Sequence, residues 1–279
     1  MAAAVSIVLV LTIHYWLSNI QANKNRSRQG FALVVLIQKI ISHCQHHRGI
    51  SNAILNGDNN LKSQLLLIQS QLDKLIKQGV EIGLDKFPQW DTFVEHWPRL
   101  KQHSLQADLP PRNLLRQHNV MVDGHMSLLD EVMSHHDFDW IMVGKSLHLS
   151  QLCIDTLKVI ETIGQSRGVG AGVCSRGQCV GIDRLSLDFL RISIISPTNE
   201  LLSKLSQVAD SELLSQLTSS STLIKKDVDS LLLTIENRLM IDEQISLDAA
   251  EFFKLATKPM QELASVYDNL VTYGVRNTS

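Results

Sequence analysis

The sequence predicts an all-α protein: an N-terminal transmembrane helix followed by two packed antiparallel helical bundles, about eight helices in all. Three observations predict it. Apolar side chains recur every three or four residues along most of the chain, only 6 prolines and 14 glycines interrupt them, and aromatic residues are just 5% of a composition that is 44% hydrophobic. Leucine- and isoleucine-rich runs between sparse breakers favour helices over sheets. At 279 residues the chain is long enough to bury a substantial core.

The first element is the run from Ala2 to Ile20, in which no Lys, Arg, Asp or Glu appears. Roughly 20 helical residues at about 1.5 Å each cross a bilayer core. Tyr15 and Trp16 suit the interfacial belt, and Lys24, Arg26 and Arg28 follow while no basic residue precedes the run. This predicts a single-pass inner-membrane anchor over 1–22, a basic juxtamembrane linker over 23–30 and a cytoplasmic body. A cleaved leader fits less well, because a basic start and a small-x-small cleavage site are missing.

The first bundle is expected over 31–138. Phe31 to Leu55 and the run Leu61, Leu65, Ile68, Leu72, Leu75 read as a helical hairpin. Gly79 to Pro88 breaks the pattern, a short aromatic helix with Trp90, Phe93 and Trp97 follows, and Pro110-Pro111 suits a new helix start. That helix carries Leu115, His118, Val122, His125, Leu129 and Val132 on one stripe. The second bundle, 139–275, begins with a periodic Leu147 to Cys174. Leu185 to Ile195 and Leu201 to Leu217 then flank Pro197, which should kink or split its helix. Leu223 to Leu239 and a helix opening behind Ser246 complete the set, with Pro259 bending the last one.

Several function classes drop out. A net charge of -2 supplies no field for a polyanion, so no nucleic acid is expected as a partner. Cys44, Cys153, Cys174 and Cys179 form no CxxC pair and read as reduced thiols. His43, His46 and His47 have helical ligand spacing, but no carboxylate or thiolate pattern completes a metal site. Gly144-Lys145-Ser146 imitates the end of a phosphate loop without its first glycine and reads as a turn between helices. No nucleophile elbow or HExxH motif appears, so neither catalysis nor a cofactor is expected.

One internal repeat points to function. Arg48-Gly49-Ile50 and Arg167-Gly168-Val169 are 119 residues apart, 167 minus 48. The same offset relates the seam Val34, Ile37, Ile41, Cys44, Arg48, Ser51, Leu55 to Cys153, Thr156, Ile160, Ile163, Arg167, Gly170, Cys174. Each arginine thus lies on a core-facing stripe, where a guanidinium needs a counter-charge. Two partners are open: a carboxylate from another helix, with Asp123, Asp130, Asp188, Glu236 and Asp248 as candidates, or a bound anion lodged beside the small residues after each arginine.

These segments resemble the nitrate- and nitrite-sensing domain family, in which a Gln-x-x-Arg-Gly type motif recurs once. Gln45 to Ser51 is similar to the first occurrence, Glu161 to Gly170 to the second, and Arg116-Gln117-His118-Asn119 to a stretch between them; the resemblance covers roughly Ala32 to Asn269. It implies an all-helical two-bundle fold and recognition of nitrate or nitrite by arginines. His47 stands where members can carry a second arginine. Further arginines are implied from the second bundle, with Arg184 and Arg191 the candidates and Lys225, Lys226 and Arg238 behind them. The expected ligand set is therefore Arg48 and Arg167, assisted by His47 when protonated, by amides near Gly170, and by Arg184 and Arg191. Two trigonal forks suit a planar oxyanion, though chloride or a small carboxylate also fits. The output route is expected to be the anchor helix, a homodimer contact or a separate signalling partner, and of these the separate partner is preferred. The competing expectation is a membrane-anchored scaffold or docking module with internally paired arginines and no ligand.

Overall fold

The computed structural model describes residues 2–57, 59–106, 108–241 and 244–278, with side chains from Leu11 onward except Asn59. Eight α-helices are present among them. In the first half these are α1 (Ala2–Leu55), α2 (Lys62–Glu81), α3 (Pro88–Gln106) and α4 (Pro111–His135). In the second they are α5 (Leu149–Arg176), α6 (Gly181–Leu205), α7 (Ser211–Thr234) and α8 (Ala249–Thr278). α1 packs on α2 and α4 while α3 closes the ring, and α5 packs on α6 and α8 while α7 closes the other. Contacts of α5 with α1 and α4, and of α1 with α8, join the two rings.

Both predicted seams lie in the core. Val34, Ile37, Ile41 and Cys44 are buried on α1, and Cys153, Ile160 and Ile163 on α5. The region expected to be a linker is helical instead, because it has tertiary partners. Ser27 is buried and its hydroxyl donates to the His136 carbonyl at 3.1 Å, the Trp140 indole donates to Ser27 Oγ at 2.9 Å, and Arg26 pairs with Asp137 at 2.7 Å. α1 therefore runs unbroken for 54 residues, about 80 Å.

Among the described residues no helix is long and apolar enough to cross a membrane. The expected anchor falls partly on Met1 and the side chains of residues 2–10, which lie outside the described residues. Tyr15 and Trp16 beyond them are exposed.

Three further expectations are corrected, and the turn expected at Gly144-Lys145-Ser146 is found between α4 and α5. α3 is 19 residues long rather than short. α2 continues through Gly79, where a Cβ would stand 2.3 Å from the Trp90 ring, so this glycine serves close packing and not a break. α6 continues through Pro197, and the chain breaks instead before Asp210, whose carboxylate accepts from the Leu213 amide at 2.8 Å and caps α7. Gly144-Lys145-Ser146 turns a two-stranded ribbon, β1 (Met142–Gly144) with β2 (Leu147–His148), which pins the crossover between bundles through Ala209 N–H to Val143 O at 2.8 Å.

Candidate anion cavity between the bundles

Arg48 is 2% exposed and forms a two-pronged ion pair with Glu161 on α5, at 2.5 and 3.1 Å. Its Nη1 also donates to Asn119 Oδ1 on α4 at 2.7 Å. Glu161 is saturated in turn, since Gln45 and Gln165 donate to it at 2.9 and 3.0 Å. A carboxylate and guanidinium this buried are tolerated because they pair with each other and because Asn119, Gln45 and Gln165 add further hydrogen bonds. The five carboxylates considered from sequence did not include Glu161. Its signal was there: Ile154, Leu157, Glu161, Gly164 and Gly168 form one stripe of α5 at spacings of three and four, facing α1.

Arg167 is different. It is 8% exposed and has no carboxylate partner among the described residues; Nη1 donates to Thr257 Oγ1 at 2.9 Å, and the guanidinium stacks on Phe253 at 4.3 Å. Burial first, and then the charge of Arg48, push its pKa down to about 10, so it remains a cation at neutral pH. Stacking on an aromatic face compensates part of the lost hydration but leaves the in-plane donors available.

Arg48 and Arg167 line one cavity of about 510 Å³, bounded by α1, α5 and the start of α8. His46 and Lys254 also line it, along with Asp248, whose Oδ1 caps α8 by accepting from the Ala250 and Glu251 amides at 2.9 and 3.0 Å. Burial and then Arg167 lower the His46 pKa. A neighbouring groove of about 540 Å³ on the other side of Glu161 is lined by Asp123, Asp155 and Glu200 and has the wrong sign for an anion.

The remaining expected ligands are elsewhere. His47 is fully buried inside the first bundle, 2.7 Å from His118 and 3.1 Å from Gln69, and burial followed by the charge of His118 holds its pKa well below 6.5. It is therefore a neutral core residue and not an anion donor. Gly170 lies within the continuous helix α5, where a Cβ would stand 2.2 Å from Phe252. Its role is to admit α8, and the helix does not loosen there. Arg191 pairs with Asp188 at 3.0 Å and faces Glu236 at 3.9 Å, while Arg184 stands at the start of α6; neither lines the cavity. Lys225 and Arg238 are held by Asp229 and Glu251 at 3.1 and 3.3 Å. The Arg116–Asn119 stretch is explained by packing, with His118 beside His47 and Asn119 bracing Arg48.

Phe253, Thr257 and Asn119 were missed. Only Asn119 had a signal, through its place in the family-like stretch; nothing in the sequence links α8 to Arg167. Among the described residues, no three His, Cys, Asp or Glu side chains converge to hold a metal ion, and the four cysteines are free.

The fold and the cavity define an all-helical two-bundle domain with buried cations where the bundles meet. A solved structure of the NasR transcription antiterminator shares this fold, with a TM-score of 0.71 over 96% of this chain and 74% of that one, at 15% identity. No family model and no curated protein matches the sequence.

Proposed function

We propose that this is a sensory or regulatory protein that binds a small planar oxyanion, nitrate or nitrite, in the cavity between α1, α5 and α8. The observation carrying the reading is Arg167, a cation 8% exposed, without a carboxylate partner among the described residues, at the wall of a cavity of about 510 Å³. A buried guanidinium cannot shed its proton near neutrality, so an anion entering beside it recovers charge-assisted hydrogen bonds that burial removed. The resemblance of Gln45–Ser51 and Glu161–Gly170 to nitrate- and nitrite-sensing domains supports the choice of ligand, and the fold shared with an antiterminator supports a regulatory role.

Arg167 is the principal ligand in this reading, and Arg48, already neutralised by Glu161, positions the wall. An anion held between α1 of one bundle and α5 and α8 of the other biases their packing, and α1 carries that bias toward the N-terminal segment. In the same proposal the N-terminal apolar run tethers the protein to the inner membrane with its body cytoplasmic, and a separate protein reads the output. No catalytic step is included.

A second reading has its own observation. The closed Arg48–Glu161 pair is what a scaffold or docking module with internally satisfied charges would contain. Melting of the full chain with nitrate, nitrite or chloride separates the two. A ligand at 100 times its Kd stabilises by about 2.7 kcal/mol. Saturable stabilisation by nitrate or nitrite, abolished in Arg167→Met, is expected for the sensor. Indifference to all three anions selects the scaffold.

A further inference from the structure

α6 carries two apolar faces where one would suffice. Leu187, Leu190, Ile194 and Leu201 are buried inside the second bundle. On the opposite side Ile182, Leu185, Phe189 and Ile192 are 53%, 71%, 69% and 57% exposed. Single exposed leucines are ordinary, but four large apolar side chains in one stripe, spaced three, four and three, form a contiguous patch. That rhythm is the seam of a helix that pairs with another helix.

We infer that this face of α6 pairs with the same face of a second copy of the chain, the two helices antiparallel about a two-fold axis. The spacing reads identically in both directions, so the rotation sets Ile182 against Ile192 of the second copy and Leu185 against its Phe189. All four side chains are covered in one register, as an isologous contact requires. The flank of the stripe alternates in sign, with Arg184, Asp188 and Arg191 at successive turns. In this register Asp188 falls between Arg184 and Asp188 of the second copy and Arg191 falls beside its Arg184, so the flank adds no net attraction and the apolar stripe carries the contact. The apolar area is on the order of 500 Å² per copy, or about 1,000 Å² for the pair, which reaches the lower bound of a specific interface and predicts a concentration-dependent dimer. Because α6 packs directly on α5, the helix bearing Arg167, the contact lies one helix from the anion cavity. The dimer itself does not depend on the anion reading.

Sedimentation equilibrium of the full chain tests this without any anion. A reversible monomer–dimer equilibrium is expected for the native protein. Leu185→Glu/Phe189→Glu should shift it at least tenfold toward monomer while helix content and melting midpoint are retained, because both side chains point outward. The register is read by oxidation in a Cys179→Ser background. Leu185→Cys/Phe189→Cys should give a covalent dimer on non-reducing gels, and Ile182→Cys/Leu185→Cys should not. A native chain that stays monomeric at every concentration overturns the inference. So does a dimer unmoved by the two glutamates, or equal crosslinking of both cysteine pairs.

Discussion

Arg48 and Arg167 occupy equivalent positions on two helices 119 residues apart, and both are buried, yet their surroundings are opposite. Arg48 is locked by Glu161 and Asn119, whereas Arg167 has a hydroxyl and an aromatic face but no anionic partner among the described residues. The helical repeat sets how deep each side chain lies. What neutralises it depends on the helix across the gap: α5 presents a glutamate to α1, and α8 presents Phe253 and Thr257 to α5. Equivalent residues of an internal repeat can therefore divide their labour, one holding the bundles together and the other kept open.

The largest expected effect breaks the closed side. Arg48→Met or Glu161→Leu alone leaves one buried charge uncompensated and should cost about 3–5 kcal/mol in urea denaturation, while the double variant should recover most of that loss. Equal losses in single and double variants would show that the pair is not a coupled unit.

A second prediction contrasts the bundles. His118 and His125, both in the first bundle, are pushed by burial to about 3 and about 4. Between pH 6.5 and about 4 the unfolded chain takes up protons at these sites that the folded chain does not. Stability should therefore fall with acidification by up to about 1.4 kcal/mol per pH unit for each histidine. His125 Nε2 has no hydrogen-bond partner, and the ring packs edge-on against Phe93 at 4.2 Å. His125→Leu should thus be tolerated at pH 7 and should remove about 3 kcal/mol of the loss seen between pH 7 and 4. An unchanged pH slope in that variant would contradict the assignment.

The small residues after each arginine allow a third comparison. Gly170→Ala should cost about 1–3 kcal/mol through overpacking against Phe252, in chemical denaturation, and leave anion affinity intact. A loss of affinity without a loss of stability would return this glycine to the site. The smallest stability effect is expected at Arg167. In anion-free buffer Arg167→Met should lie within about 1 kcal/mol of the native protein, since the stacking and the Thr257 bond that are lost are offset by removal of a desolvated cation. A cost as large as that at Arg48 would mean that Arg167 has a structural counter-charge after all.

Sequence periodicity by itself determined the all-helical class, both buried seams and the burial of both arginines, and the Pro110-Pro111 pair determined the start of α4. Each of these depends on contacts or backbone preferences local to one helix, which spacings of three and four residues express directly. Breaks were less legible. Gly79 and Pro197 resemble interruptions because they are poor helix formers, yet close packing on Trp90 at one and the cohesion of a 25-residue helix at the other carry the backbone through. Only the tertiary structure decided that Glu161 neutralises Arg48, that His47 faces a histidine and a glutamine rather than a ligand, and that Arg167 stands open beside a cavity. Those outcomes depend on which faces of α1, α2, α4, α5 and α8 meet, at separations from 22 residues for His47–Gln69 to 113 for Arg48–Glu161, and helix packing angles leave no trace in the spacing of residues along one strand of sequence.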